Sequence, residues 1–470
     1  MTKYHLGGDV SKGYCDFVLC NQHKEVIEEV FQLDDTATGH RKLNTFLIHF
    51  LQTHEDAQIY AGLESTGGFE NNWYRLLRTL AETLPVRVAR LNPALVEADS
   101  RAGARRMKTD PISARVIAEY LISHPEKVRY NQPWYPQLRR HWNFIQLNLK
   151  QKTQLSNHLQ ALLYTSMPEL VSYCREGIPH WLLVVLTEYA SYDQLNEAGV
   201  AKLAGIRYVS REKAENLLHK IRPELGDSGP VSADIIATLA RQMLSLKKDI
   251  QDQKKLLAQH YQTYGECPEE IELLCSFPGI AVWSAVGLML NIGSVALFPT
   301  VKNLASQFGV HPVYKQSGDG SWGEHMSKQG RAEGRAVLYM VARSAIQCNP
   351  IIKQTYQTFL DKGMTKTAAL GVCMHKILRI VYGMLKNGTC FDARIDQRNK
   401  QKAKHAQPRP KQDKRRRWQR FDPKAPVSQR QYKKRQEQTR SQDEELVKCG
   451  IQRLAPTTQL LKKVIKDKPS

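Results

Sequence analysis

Two short apolar runs near the N-terminus each close on a carboxylate. "YHLGGDV" (4–10) carries Asp9, and "QIYAGLEST" (58–66) carries Glu64. Runs this short and this apolar read as buried strands, and buried strands need helices to cover them. "YCDFVLC" (14–20), "EVIEEVFQL" (25–33) and "VRVARLN" (86–92) are further strand-like runs. "ATGHRKLNTFLIHFLQTH" (37–54) and "FENNWYRLLRTLAETL" (69–84) read as helices. Residues 1–125 therefore run strand, strand, strand, helix, strand, helix, strand, and then a last helix over 110–123.

That order is the one a ribonuclease-H-like α/β domain uses, although other α/β folds share such runs. The last helix opens in "MKTDPISARVIAEYL" (107–121). Asp110 can cap its first turn, Pro111 suits the first helical position, and Ala114, Ile117, Ala118 and Leu121 recur at helical spacing. Carboxylates at the ends of buried strands are costly unless something positive neutralises them. Asp9, Glu64 and Asp110 offer oxygen donors only, which suit Mg²⁺ or Mn²⁺, and two such ions can clamp both oxygens of a phosphodiester displacement. Singly, each acid has a plainer account: a turn residue, a loop salt bridge, a cap. Capping and metal binding are compatible, one oxygen serving each.

Residues 137–166 form a long amphipathic helix and 234–262 another. In the second, Leu239, Met243, Leu246, Ile250 and Leu257 fit a heptad seam with Gln253 as a polar seam position. The pair reads either as an extended coiled-coil arm, hence oligomerisation, or as a hairpin within one subunit. Between them, residues 198–221 look like two short helices around a Gly turn. "IELLCSFPGIAVWSAVGLMLNIG" (271–293) reads as a helix–hairpin–helix, which offers backbone N–H groups to a phosphate. A Gly/Ser/His-rich loop, "VYKQSGDGSWGEHMSKQGRAEGR" (313–335), comes next, followed by apolar helices at 335–347 and 366–385.

The chain's net charge of +22 calls for a polyanionic partner, most simply nucleic acid. Residues 393–470 hold 24 Lys and Arg against 8 Asp and Glu, and the first 392 residues hold 44 against 38. The tail, with "KRRRWQR" and "QYKKRQEQTR", is too poor in apolar residues to fold alone. None of the nine cysteines makes a CxxC pair or a zinc-spaced cluster, which fits a reduced, cytosolic protein. "MTKYHLGGDV" is no signal peptide and no apolar run reaches about 18 residues, so no membrane partner is expected. In the 313–335 loop, Ser317 lies among Lys315, Lys328, Arg331 and Arg335. Serine attacks a phosphodiester only when its deprotonation is eased and the developing charge is stabilised. The loop reads either as such a site or as a flexible basic DNA-binding segment whose serines are incidental.

"GGDVSK" (7–12), "LESTGG" (63–68), "LNPALV" (91–96) and "KTDPISARVIAEYL" (108–121) resemble the N-terminal motifs of the DEDD-type insertion-sequence transposases of the IS110 family, which also contains the Piv DNA invertases. "FPGIAVWSAVGLMLNIG", "FPTVKNLASQFGVHP", "QSGDGSWGEHMSKQGR" and "LRIVYGMLKNGTCFD" resemble that family's C-terminal domain. The resemblance covers about 1–392, in the same order. It implies a RuvC-like domain whose acids bind divalent metal, matching Asp9, Glu64 and Asp110. It implies a nucleophilic serine, matching Ser317, with Ser327 as second candidate, that attacks DNA to give a covalent phosphoserine. It further implies a composite site in a tetramer, a dimer of dimers, and guidance by a structured RNA made by the element, held through backbone contacts and basic surface.

Two departures stand out. The family's fourth acid falls at Ser113, which binds metal only weakly; Glu119 is a distant substitute. The tail runs past the usual family end, as a salt-sensitive nucleic-acid grip. The expected architecture is α/β plus α: a RuvC-like domain (1–125), a helical coiled-coil arm (126–268), a mostly helical serine-bearing domain with the helix–hairpin–helix (269–392), and a basic, disordered tail (393–470). The expected function is a mobile-element transposase or DNA recombinase with donor and target DNA as partners, prokaryotic and nucleoid-associated in the cytoplasm. Two rivals remain: a metal-dependent, structure-specific nuclease of resolvase type, and a decayed nucleic-acid-binding protein.

Overall fold

Strand β1 (Thr2–Ser11) is the centre of the N-terminal sheet. It pairs antiparallel with β2 (Tyr14–Asn21), which pairs antiparallel with β3 (Val26–Asp34). On its other edge β1 pairs parallel with β4 (Ala57–Glu64), and β4 with β5 (Val86–Leu91). The order β3-β2-β1-β4-β5 is the mixed five-stranded sheet expected of a ribonuclease-H-like domain. The structure is a computed structural model. It describes residues 1–65, 67–102, 110–131, 135–221, 226, 229–265, 267–317, 320–396, 398, 401 and 425–448, without the side chains of 110–111, 314–324, 438–439 and 441–448.

Period-two alternation gives the sheet two different faces. Leu6, Val10, Cys15, Phe17, Ile59 and Leu63 pack against Leu43 and Leu47 of α1 (Ala37–Thr53) and Trp73 and Leu77 of α2 (Asn71–Leu80). The opposite face carries α4 (Asp110–Ser123), whose Ala114 and Ala118 sit on Val18 and Cys20. Gly7 makes that contact close. A Cβ there would stand 2.7 Å from the amide nitrogen of Ala118 and closer still to the carbonyl oxygen of Ala114. Leu121 covers Gly62, and the chain after α4 brings Tyr130 against the ring of Tyr60. Gly7 and Gly62 are register partners, so α4 crosses β1 and β4 at one level of the sheet. A further helix, α3 (Pro93–Ala102), was not foreseen; its signal is Asn92, whose Oδ1 accepts from the amide of Ala94, followed by Pro93.

Helices α5 (Pro136–Ser166) and α9 (Pro230–Tyr264) pack along one another within the chain. Leu159 and Leu163 of α5 and Ile236, Leu239 and Met243 of α9 share a core with α6 (His180–Glu188), α7 (Tyr192–Ala204) and α8 (Arg211–Lys220). Seam residues Leu239, Met243, Ile250 and Leu257 are therefore buried inside one subunit. The polar seam position Gln253 accepts a hydrogen bond from Nε2 of His141 on α5 (2.8 Å). Next come α10 (Glu269–Cys275), a turn with Gly279 at φ 110°, and α11 (Val282–Ile292), two helices around a Gly turn where the sequence suggested a helix–hairpin–helix. Trp283 of α11 stacks on Trp142 of α5 with ring centroids 4.0 Å apart, and Lys254 of α9 lies over its ring.

The chain divides into two compact units, Met1–Thr300 with Val381–Thr389, and Val301–Ile380 with Cys390–Ser470. The second holds α12 (Val301–Phe308), β6 (Pro312–Ser317), β7 (Gly320–Met326), α13 (Ala332–Cys348), α14 (Pro350–Asp361) and the first part of α15 (Lys366–Asn387). The supposed loop over 313–335 is thus largely an antiparallel hairpin, with Ser317 paired to Gly320. Its Gly- and Ser-rich sequence hides the strands, because ladder hydrogen bonds use the backbone alone. Also unforeseen was α14, which Asn349 caps through the amides of Ile351 and Ile352. In the tail, expected to lack structure, Gln429–Lys448 forms a helix, α16; residues 402–424 and 449–470 lie outside the described residues. Among the described helices, α15 is long and apolar enough to span a bilayer, but its apolar face is largely buried in the fold.

Candidate active site

Gly8 pairs with Leu63, so Asp9 and Glu64 are the next residues of two neighbouring parallel strands. Both share the α4 face, since Gly7 and Gly62, two residues earlier, face α4. Both are half-buried. Asp9 is also directly opposite Asp16 of β2. Asp16 is buried at 4 % exposure, and Gln32 Nε2 donates to its carboxylate at 3.1 and 3.3 Å. The sequence reading missed Asp16; its signal was the alternation that puts it on one face with Val18 and Cys20. Burial, then the charges of Asp9, Asp16 and Asp35, push the neighbouring Cys15 thiol well above its ordinary range.

This corner of the sheet fits a hard divalent cation: oxygen donors gathered at adjacent strand ends. Asp110 opens α4, the helix that lies on this face; its side chain is outside the described residues. Among the described residues no three His, Cys, Asp or Glu side chains converge on one point. Ser113 is half-buried in the first turn of α4. Glu119 is buried and accepts from Arg115 Nε at 2.9 Å, an internal ion pair two turns further along.

In the second unit, Ser317 ends β6 at the turn end of the hairpin, paired with Gly320. The side chains of Ser317 and Lys315 lie outside the described residues. The segment after β7 is locked to the end of α12. The amide of Lys328 donates to the carbonyl of Gly309 and that of Arg331 to the carbonyl of Gln307. Gly309 and Gly330 allow this approach, since a Cβ on Gly330 would meet Gln307 O and Gly309 N at 2.5 Å. Lys328 is exposed and held at φ 55°, a conformation L residues rarely adopt. Arg335 Nη1 donates to the carbonyls of Phe308 and Lys328 at 3.2 and 3.1 Å, which makes it a structural clasp whatever else it touches. Ser327 Oγ accepts from the amide of Gln329 at 3.2 Å in a turn.

Both parts correspond to known family models. Residues 271–357 match the model described as Transposase IS116/IS110/IS902 family, and residues 6–168 match a transposase model of the DEDD type. The chain belongs to the IS116/IS110/IS902 transposase family. It is 26% identical over 250 residues to the Insertion element IS110 uncharacterized 43.6 kDa protein of Streptomyces coelicolor, covering 52% of this chain and 61% of the relative. It is 23% identical over 295 residues to the Insertion element IS116 uncharacterized 44.8 kDa protein of Streptomyces clavuligerus, covering 60% of this chain and 72% of that one. A pilin gene-inverting protein of Moraxella bovis is 30% identical over 132 residues, 28% of this chain and 41% of the relative. The chain thus spans under two thirds of the first of these relatives. The matched segments include all the candidate residues: the acids and Ser113 in the first, Ser317 and its basic neighbours in the second.

Proposed function

We propose that this chain is a mobile-element transposase that cuts and rejoins DNA through a covalent phosphoserine. The observation that carries the reading is the pair Asp9 and Glu64, next to each other on the α4 face of a DEDD-type sheet. With Asp110 they would hold Mg²⁺ or Mn²⁺, which when bound supplies charge for the phosphoryl oxygens and eases deprotonation of the attacking hydroxyl. Asp16, held by Gln32, keeps Asp9 in a negative field that favours cation capture. Ser317 Oγ forms a bond to phosphorus and loses its proton as one P–O bond to a sugar breaks, releasing a sugar hydroxyl. The reverse step, with the hydroxyl of another strand, restores the serine. Lys315, Lys328 and Arg331 hold the phosphates. Donor and target DNA are the substrates, a structured RNA encoded by the element guides pairing, and a tetramer brings acids and serine together. The 1–392 body carries the chemistry and the basic tail grips nucleic acid.

The test is an adduct assay. Protein, flanking-region RNA and cognate DNA are incubated with Mg²⁺, denatured, and examined for a protein–DNA adduct. An adduct lost in Ser317→Ala and kept in Ser327→Ala supports the proposal. Free cut ends without adduct replace it with a metal-dependent nuclease. Binding with neither outcome replaces it with a decayed binding protein.

A further inference from the structure

The second unit has a surface cleft between α13, the middle of α14 and the start of α15. Its walls are Tyr339, Arg343, Gln347, Tyr356, Lys366 and Thr367, with Ile346 and Leu370 as its apolar floor. Residues 339, 343, 346 and 347 follow one another at helical spacing, so they form a single outward stripe on α13. The opposite face of that helix, with Val337, Leu338, Val341, Ala342 and Ala345, is buried in the unit's core. The stripe is therefore not needed for packing.

The chemistry of the lining is selective. Two aromatic rings and two cations line the cleft, and no carboxylate does. Among the described residues, neither Arg343 nor Lys366 has an acidic partner. Arg343 and Lys366 are exposed, and Tyr339 keeps 40% of its surface in solvent. Lys366 and Thr367 open a 22-residue helix, whose positive dipole end adds to the two cations; the amide of Ala368 is already capped by Thr365 Oγ at 3.3 Å. The cleft's volume is about 260 Å³, under the roughly 300–1,000 Å³ typical of pockets for drug-sized ligands. That suits one ring system with its phosphate at the rim.

We propose that the α13–α14–α15 cleft binds a single unstacked nucleotide of a nucleic-acid strand. The base stacks on Tyr339 or Tyr356, its edge meets the amide of Gln347, and its phosphate lies on Arg343, Lys366 and the start of α15. Aromatic stacking beside cations is how single strands are held without a duplex groove, whereas a regular duplex leaves no base free to enter. This inference rests on the reading that the chain handles nucleic acid, but not on the phosphoserine or the metal.

The experiment uses the full chain with short single-stranded DNA and RNA oligonucleotides carrying 5-iodouracil at one position. Irradiation followed by peptide mass spectrometry is expected to place the crosslink on Tyr339 or Tyr356, and comparison of the two oligonucleotides identifies which polymer supplies the nucleotide. Tyr339→Ala and Tyr356→Ala together are expected to weaken binding about 5- to 150-fold, the range that loss of one stacked base gives. Tyr339→Phe with Tyr356→Phe keeps the rings and is expected to keep the affinity. Arg343→Gln is expected to lower the slope of log K against log salt by about 0.7. Crosslinks only elsewhere, or unchanged affinity in a folded double-alanine variant, would overturn the proposal. So would a double-phenylalanine variant as weak as the double-alanine one. Failure here with the serine adduct intact removes the cleft and leaves the proposed function. Loss of oligonucleotide binding in the cleft variants of a chain that forms no adduct does the opposite.

Discussion

The closeness of α4 to β1 gives the sharpest prediction. Gly7→Ala adds one carbon where the nearest neighbours are backbone atoms of Ala114 and Ala118, neither of which can swing aside as a side-chain tip could. An ordinary contact needs about 3.4 Å or more, so α4 must lift from the sheet by about 1 Å. Forcing one carbon into a packed core costs about 1–3 kcal/mol, and a backbone obstacle places this site near the upper end. At about 2–4 °C per kcal/mol, the melting transition of the sheet-bearing unit falls by roughly 6–12 °C. In the proposed metal site, where Asp110 joins Asp9 and Glu64, the same lift moves Asp110 relative to both. A displacement of about 1 Å in reacting geometry is worth up to about 100-fold in rate. Differential scanning fluorimetry measures the first effect and adduct yield the second. A Gly7→Ala protein with unchanged melting temperature and unchanged adduct would show that α4 does not lie on β1 as described. Gly13→Ala is not a fair control, because Gly13 sits at φ 95°. Gly383→Ala is one, since nothing stands within 4 Å of its added carbon.

Three further outcomes follow from the same geometry. Burial and then Lys3 lower the pKa of His5 from 6.5 to about 4, so the folded state keeps the ring neutral while the unfolded chain protonates it first. Its contribution is present above pH 6.5 and is lost as the pH falls toward 4, by up to about 3 kcal/mol; urea titrations at pH 7 and pH 4.5 should show that slope reduced in His5→Phe. Trp142→Ala removes a buried ring stacked on Trp283 and should cost about 3–5 kcal/mol, read as a lower denaturation midpoint; a shift under 1 kcal/mol would mean the stack is not part of the core. Ser113→Asp should tighten Mn²⁺ binding, measured by calorimetry, and raise adduct yield, whereas Ser113→Asn should do neither; equal affinities in all three proteins would mean that position 113 does not face the metal.

Local pattern made much of this protein legible. The alternation and length of the apolar runs placed β1, β2, β4 and β5 to within a residue or two, and helical spacing with caps placed α1, α4, α5 and α9. Asp9 and Glu64 could be singled out as strand-end carboxylates because burial of a charge is costly wherever it occurs in a chain. What local pattern could not supply was pairing between distant segments. That Asp16 stands across from Asp9 follows from the β1–β2 register, and that α4 rests on Gly7 follows from a contact more than 100 residues apart in sequence. The heptad seam of α9 says only that a partner exists; the fold decides that much of it is α5 of the same chain. The 313–335 hairpin was hidden for the same reason, since a ladder is built from backbone groups that every residue carries. Arg335 was legible only as a basic residue; that its Nη1 clasps the carbonyls of Phe308 and Lys328 needed the fold. Residue type and spacing set the chemistry available to this chain; tertiary pairing decided which groups meet, because that depends on closing long loops that no local window contains.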